Sequence, residues 1–228
     1  MGGAAPRRTT GAMSTLPDWV PAWRPAPRTL LAVVVGILVV LLVAGGAWFW
    51  YSTQQERAQA VHADALAQAA TARTAQATPE AKATAMRALE AALAQAPGAP
   101  LAAQSAYELG GLRFDAGQYG PARAAYGIAI AKAGGVTIRT LARAGIAASW
   151  EAERDFAKAS DAYNAALADQ KPGQFYYEDL LLGLGRTQEM AGRRDDAIAT
   201  YKRLLKDVPK LQRESEVRGR LASLGVSR

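Results

Sequence analysis

The chain contains no cysteine and a single histidine among its 228 residues. Without cysteine there are no disulfides, no thiolate metal ligands and no cysteine nucleophile. The one histidine, His62, has no second histidine or cysteine with which to share a metal. It lies in a polar, alanine-rich stretch, where a lone imidazole reads as a surface residue. Phosphate-loop lysine patterns, serine elbows and metal-spaced carboxylates are also missing. Gly183-Leu184-Gly185 is a fragment of a dinucleotide fingerprint, without the third glycine or the preceding strand. Asp195-Asp196 reads as the acidic start of a helix, where carboxylates oppose the helix dipole. No residue set points to catalysis, a cofactor or a metal, so the chain reads as a non-enzyme without a small-molecule substrate.

Lysine and arginine outnumber aspartate and glutamate by 27 to 20, but the excess forms no basic stripe. Residues 1–28 carry Arg7, Arg8, Arg24 and Arg28 against Asp18, and the remaining 200 residues mix 23 basic with 19 acidic side chains. A nucleic-acid surface needs a concentrated patch, and none is expected here.

What is abundant is alanine, a strong helix former whose small side chain lets helices approach closely. A small–bulky–small pattern recurs four times: Ala85/Leu89/Ala92, Ala122/Tyr126/Ala129, Ala159/Tyr163/Ala166 and Ala197/Tyr201/Leu204. Successive copies are 37, 37 and 38 residues apart, a period that points to stacked helix pairs. Internal turns fall at Asp115-Ala116-Gly117-Gln118, Glu153-Arg154-Asp155 and Met190-Ala191-Gly192-Arg193, and breakers at Gly134-Gly135, Lys171-Pro172-Gly173 and Val208-Pro209. Thr78-Pro79 supplies an N-cap and a first-turn proline for a helix ending before Pro97-Gly98.

From Leu30 to Tyr51 the chain has 22 residues without a charge, about 33 Å as a helix, enough to cross a hydrocarbon core of about 30 Å. Trp48, Trp50 and Tyr51 close the run as an interfacial aromatic belt does. Arginines cluster before it, so the positive-inside rule places the N-terminus in the cytoplasm and residues after Tyr51 across the membrane. A cleaved signal peptide is the competing reading, with Ala44-Gly45-Gly46-Ala47 as the small-residue site. The long n-region and the aromatics beyond that site favour a retained anchor.

The expected organisation is therefore all-α. A disordered, proline-rich cytoplasmic tail (1–28) precedes a transmembrane anchor (29–51) and a helical stalk (52–78). An α-solenoid of about three to four helix pairs (79–209) follows, ending in a C-terminal capping helix (210–228). The cap covers an apolar face that the last pair otherwise exposes.

These residues resemble the tetratricopeptide repeat family. Leu109-Gly110 precedes Tyr119, Ala122, Tyr126 and Ala129; Ile146-Ala147 precedes Phe156, Ala159, Tyr163 and Ala166; Leu184-Gly185 precedes Ala197, Tyr201 and Pro209. The match covers roughly residues 101–210, and only the second helix of an earlier pair, because Arg73 stands where a small residue is required. In this reading Gly110, Ala147 and Gly185 face Ala122, Ala159 and Ala197 at the helix crossings, and the tyrosines are structural spacers.

The resemblance implies protein binding on a concave face lined by the first helix of each pair. Carried across, that face comprises Gln104, Tyr107, Phe114 and Asp115, then Leu141, Ala144, Ala148 and Glu151, then Asp179, Leu182, Arg186, Glu189 and Met190. It reads as an apolar floor with more acids than bases, suited to a partner with hydrophobic anchors and some lysine or arginine. The lysines and asparagines of the family's carboxylate clamp are missing.

In layout the chain is similar to the bacterial YfgM family, which implies a periplasmic domain attached to the inner membrane near the Sec translocon and its chaperones. An accessory subunit of a particular membrane complex, packing through its transmembrane helix, and a peptidoglycan-associated envelope protein remain open beside that reading.

Overall fold

The computed structural model describes residues 26–74 and 76–226. Residues 1–25, with most of the expected tail, lie outside the described part. By packing, the chain divides into two units, Met1–Tyr51 and Ser52–Arg228. The boundary falls inside the first helix, α1 (Pro27–Ala72), which opens on a proline as first-turn positions favour.

Within the first unit every side chain from Leu30 to Tyr51 is exposed. By length and composition this is the one described segment able to cross a membrane.

Within the second unit every regular element among the described residues is an α-helix. After the end of α1 come α2 (Pro79–Gln95), α3 (Ala102–Asp115), α4 (Tyr119–Lys132) and α5 (Val136–Ala152). The series closes with α6 (Phe156–Leu167), α7 (Tyr177–Met190), α8 (Arg194–Asp207) and α9 (Glu214–Ser223).

The helix ends follow local chemistry. The Thr78 hydroxyl accepts from the Ala81 amide at 3.2 Å, and the Asp155 carboxylate accepts from the Lys158 amide at 3.1 Å. Each satisfies an amide that the first helical turn leaves without a partner. The turns inside the pairs share one device. Gly117 and Gly192 take the left-handed conformation, with φ of 73° and 72°, and hand their amides back to the preceding helix. Arg154 occupies the same place between α5 and α6 with φ 63°, although it carries a Cβ.

Consecutive helices pack antiparallel in pairs, and the pairs stack. Backbone contact also joins α3 to α5 and α5 to α7, whereas none joins α4 to α6 or α6 to α8. Helices α3, α5 and α7 therefore form a closer-packed inner layer, and the even-numbered helices splay outside it. All twelve residues of the repeated pattern are buried, so the period read in the sequence is the core.

Residues 61–72 differ from the solvated stalk expected there. Ala65, Ala69 and Ala72 pack in one cluster with Ala85, Leu89 and Ala92 of α2 and with Leu109 and Leu112 of α3. His62, read as a surface residue, is fully buried. Its Nε2 donates to the Ala96 carbonyl at 2.9 Å, and its Nδ1 shares a 2.8 Å hydrogen bond with the Ser105 hydroxyl. The end of α1 thus serves as the first helix of the first pair. His62, Ala65, Ala69 and Ala72 share one helical face, a spacing that short alanine side chains make easy to overlook.

At the other end α9 buries Val217 and Leu221 with Leu211 against the cluster built from α7 and α8. Arg194 of α8 donates twice to the Leu224 carbonyl at the end of α9.

Candidate protein-binding groove

The close crossings are set by tyrosine rings rather than by alanine opposite glycine. A methyl group placed on Gly110 would stand 2.6 Å from the Tyr126 ring, and one on Gly145 would stand 2.5 Å from its Cζ. Tyr126 of α4 is thus held between the first helices of two successive pairs. Gly183 makes the same approach to Tyr163, and Gly185 to Tyr201. This explains Gly183-Leu184-Gly185 inside α7: each glycine admits an aromatic ring where any Cβ would collide with it.

The inner layer lines a cavity of about 330 Å³ that is open to solvent on one side. Eight of the thirteen residues assigned to the concave face line it: Tyr107, Phe114, Leu141, Ala144, Ala148, Asp179, Leu182 and Arg186. The other five do not. Gln104, Asp115 and Met190 are exposed, while Glu151 and Glu189 are half-buried and hold partners beside the cavity. Ala144 and Leu182 are themselves buried, and form the floor.

Five lining residues escaped the sequence reading: Tyr126, Gly145, Tyr163, Tyr176 and Arg213. The two spacer tyrosines belong to both fold and cavity, since each ring fills a crossing while its hydroxyl end reaches the lining. The length of tyrosine beyond its Cβ was the available signal. Tyr176 precedes α7 in the left-handed region at φ 68°, rare for a bulky residue, and rests at 5.5 Å from the exposed Phe175 ring. Arg213 comes from the segment before α9, and only the stacking brings it here.

The excess of acids expected on this face is cancelled by arginines. Glu151 accepts from Arg186 Nε at 2.5 Å and Nη2 at 2.8 Å, a two-point contact between α5 and α7. Arg213 pairs with Asp179 and Glu178, and Arg220 with Glu189 at 3.2 Å. Asp115 alone of the four acids has no such partner among the described residues. The cause is geometric: these partners are some 31–35 residues apart, about one repeat, and stacking brings successive repeats into register.

The tyrosine hydroxyls differ from one repeat to the next. Tyr163 donates to Glu151 at 3.2 Å and Tyr201 to Glu189 at 3.1 Å, each across twelve residues. Twelve residues before Tyr126 stands Phe114, which cannot accept. The Tyr126 hydroxyl makes no hydrogen bond among the described residues, although Tyr126 is only 5% exposed. Burial pushes all three hydroxyls above the ordinary tyrosine range. The hydrogen bonds to Glu151 hold Arg186 firmly charged.

The stacked pairs define an all-α helical-repeat protein, and that class rests on the packing just described. No family model matches the chain, and no curated protein matches it. Solved structures do. The crystal structure of MamA is 21% identical with a TM-score of 0.47, covering 57% of this chain and 70% of that one. A thermophilic TPR protein of Thermus thermophilus is 18% identical with a TM-score of 0.31, covering 73% of this chain and 98% of that one.

Proposed function

We propose that the chain is a membrane-anchored scaffold of tetratricopeptide-like repeats that holds a protein partner in its concave groove. The observation that carries this reading is the cavity itself, lined from three successive inner helices by residues that the repeat register assigns to the binding face. The exposed apolar run Leu30–Tyr51 supports a single-pass anchor, and the arginines before it support an N-terminus in the cytoplasm and a periplasmic repeat domain. In that setting the work of the groove is folding or assembly of exported or membrane proteins near the Sec translocon.

Affinity purification of the tagged full chain from detergent extracts, followed by mass spectrometry, tests the proposal. Recovery of translocon subunits and periplasmic chaperones supports it, and Phe114→Glu or Ala148→Arg should abolish that recovery while the helical spectrum stays intact. Both positions line the cavity and neither is fully buried. Recovery of one stoichiometric complex, indifferent to both substitutions, moves the assignment to an accessory subunit that recognises its partner through the membrane helix.

A further inference from the structure

One hydroxyl of the groove bears on the chemistry of what it could hold. The Tyr126 ring runs from Gly110, which its Cγ–Cδ1–Cε1 edge approaches, to Gly145, which its Cζ approaches. Its hydroxyl end therefore lies at Gly145, and both residues line the cavity. The matching hydroxyls of Tyr163 and Tyr201 are taken up by glutamates, whereas Phe114 stands at that place in the Tyr126 repeat. No buried polar side-chain atom lacks a partner among the described residues, so the Tyr126 hydroxyl is open to water at the cavity, and a ligand acceptor can take the place of that water.

The charges around the cavity restrict which acceptor that is. Arg186 is engaged at two points by Glu151, Arg213 by Asp179 and Glu178, and Arg73, whose charge also reaches Tyr126, by Glu108 at 3.3 Å. An incoming carboxylate would meet these acids without an uncommitted arginine to receive it. An incoming ammonium would have to displace an arginine from the acids beside the cavity, since the unpaired Asp115 is exposed to water and lies outside the lining. A peptide carbonyl meets neither obstacle. Ala144, Ala148 and Leu182 form an apolar floor beside Tyr126 within a lining whose exposed surface is otherwise mostly polar, and 330 Å³ is at the low end of ligand pockets, about 300–1,000 Å³. That suits an extended backbone with a short apolar side chain better than a whole helix.

We propose that this cavity binds an uncharged, extended segment of a partner protein, one backbone carbonyl accepting from the Tyr126 hydroxyl and the adjacent apolar side chain lying on Ala144, Ala148 and Leu182. The proposal rests on the reading of the concave face as a protein-binding groove.

The test selects phage-displayed random heptapeptides on the detergent-solubilised full chain, then measures binding of the enriched sequences as capped, fluorescein-labelled peptides. Enriched peptides should be apolar and free of Asp, Glu, Lys and Arg at their centre. Tyr126→Phe should weaken them by about three- to tenfold, the range for one hydrogen bond. Tyr201→Phe, whose hydroxyl is already bonded to Glu189 and lies off the cavity, should leave them within about twofold. Enrichment of charged centres, or equal binding by Tyr126→Phe, overturns the proposal and leaves the groove reading standing. Peptides whose binding ignores Phe114→Glu, or no enrichment at all, overturn both. Thermal melting supplies a second check: Tyr163→Phe should lower the midpoint and Tyr126→Phe should not. An equal loss would mean that the Tyr126 hydroxyl already has a partner, and would sink the proposal.

Discussion

Arg154 holds a backbone conformation that its two counterparts reach with glycine. At φ 63° an L-residue brings Cβ close to the following carbonyl, a conformation costing roughly 1–2 kcal/mol, while glycine adopts it freely at the expense of a more flexible unfolded chain. Gly117 and Gly192 mark the same turn in the neighbouring pairs. Arg154→Gly should therefore raise stability by about 0.5–1 kcal/mol, seen as a higher thermal midpoint of the full chain. A lower midpoint would show that the Arg154 side chain contributes more than its backbone costs. The turn was visible in the sequence as Glu153-Arg154-Asp155, but without a glycine its handedness was not. His62 shows the same limit. Its hydrogen bonds reach Ala96 and Ser105, 34 and 43 residues away, and nothing in the residues around it announces them.

At the scale of an element, the helices are defined by what they allow to approach. Ala159 is fully buried in α6, at the first small position of its repeat. Replacing it with leucine should overpack the crossing and cost about 1–3 kcal/mol in denaturant unfolding, whereas leucine at the exposed Ala157 should change stability by less than about 0.5 kcal/mol. Equal effects at both would mean that the α6 register is not what the small positions maintain. The register itself was legible, because all twelve patterned residues are buried. The reason for the glycines was not. Gly145 and Gly183 are required by tyrosines of the preceding pair, a contact between elements that no single-helix pattern contains.

For the whole molecule, the ionisable groups predict a stability that falls at both extremes of pH. Asp207 accepts from the Tyr177 hydroxyl and from Arg203, Asp155 from Lys158, and Asp169 from Arg143. These hydrogen bonds hold the three carboxyls below the ordinary aspartate range. A depressed folded value means that the unfolded chain binds protons first, so the contribution is present above pH about 4 and is lost as pH falls through the folded values. Buried Tyr126, Tyr163 and Tyr201 are shifted upward, mainly by desolvation. Their contribution is intact below pH about 10 and is lost as pH rises toward the folded values, because the unfolded chain ionises first. Thermal melts of the detergent-solubilised chain from pH 3 to 11 should show both declines, and Asp207→Asn should flatten the acidic one. A midpoint that does not change below pH 4 would contradict the assignment.

The sequence by itself determined the helical content, the 37–38-residue pitch, the buried small–bulky–small core and the uncharged run Leu30–Tyr51. These follow from propensity and from periods of a few residues, which operate within one helix or one repeat. Only the tertiary structure decided that His62 is buried, that arginines one repeat away neutralise the acids of the groove, and that Tyr126 keeps a hydroxyl free while Tyr163 and Tyr201 do not. Each of those depends on distances across stacked helices. Such distances are set by crossing geometry summed over a whole pair, and no spacing along the chain encodes them.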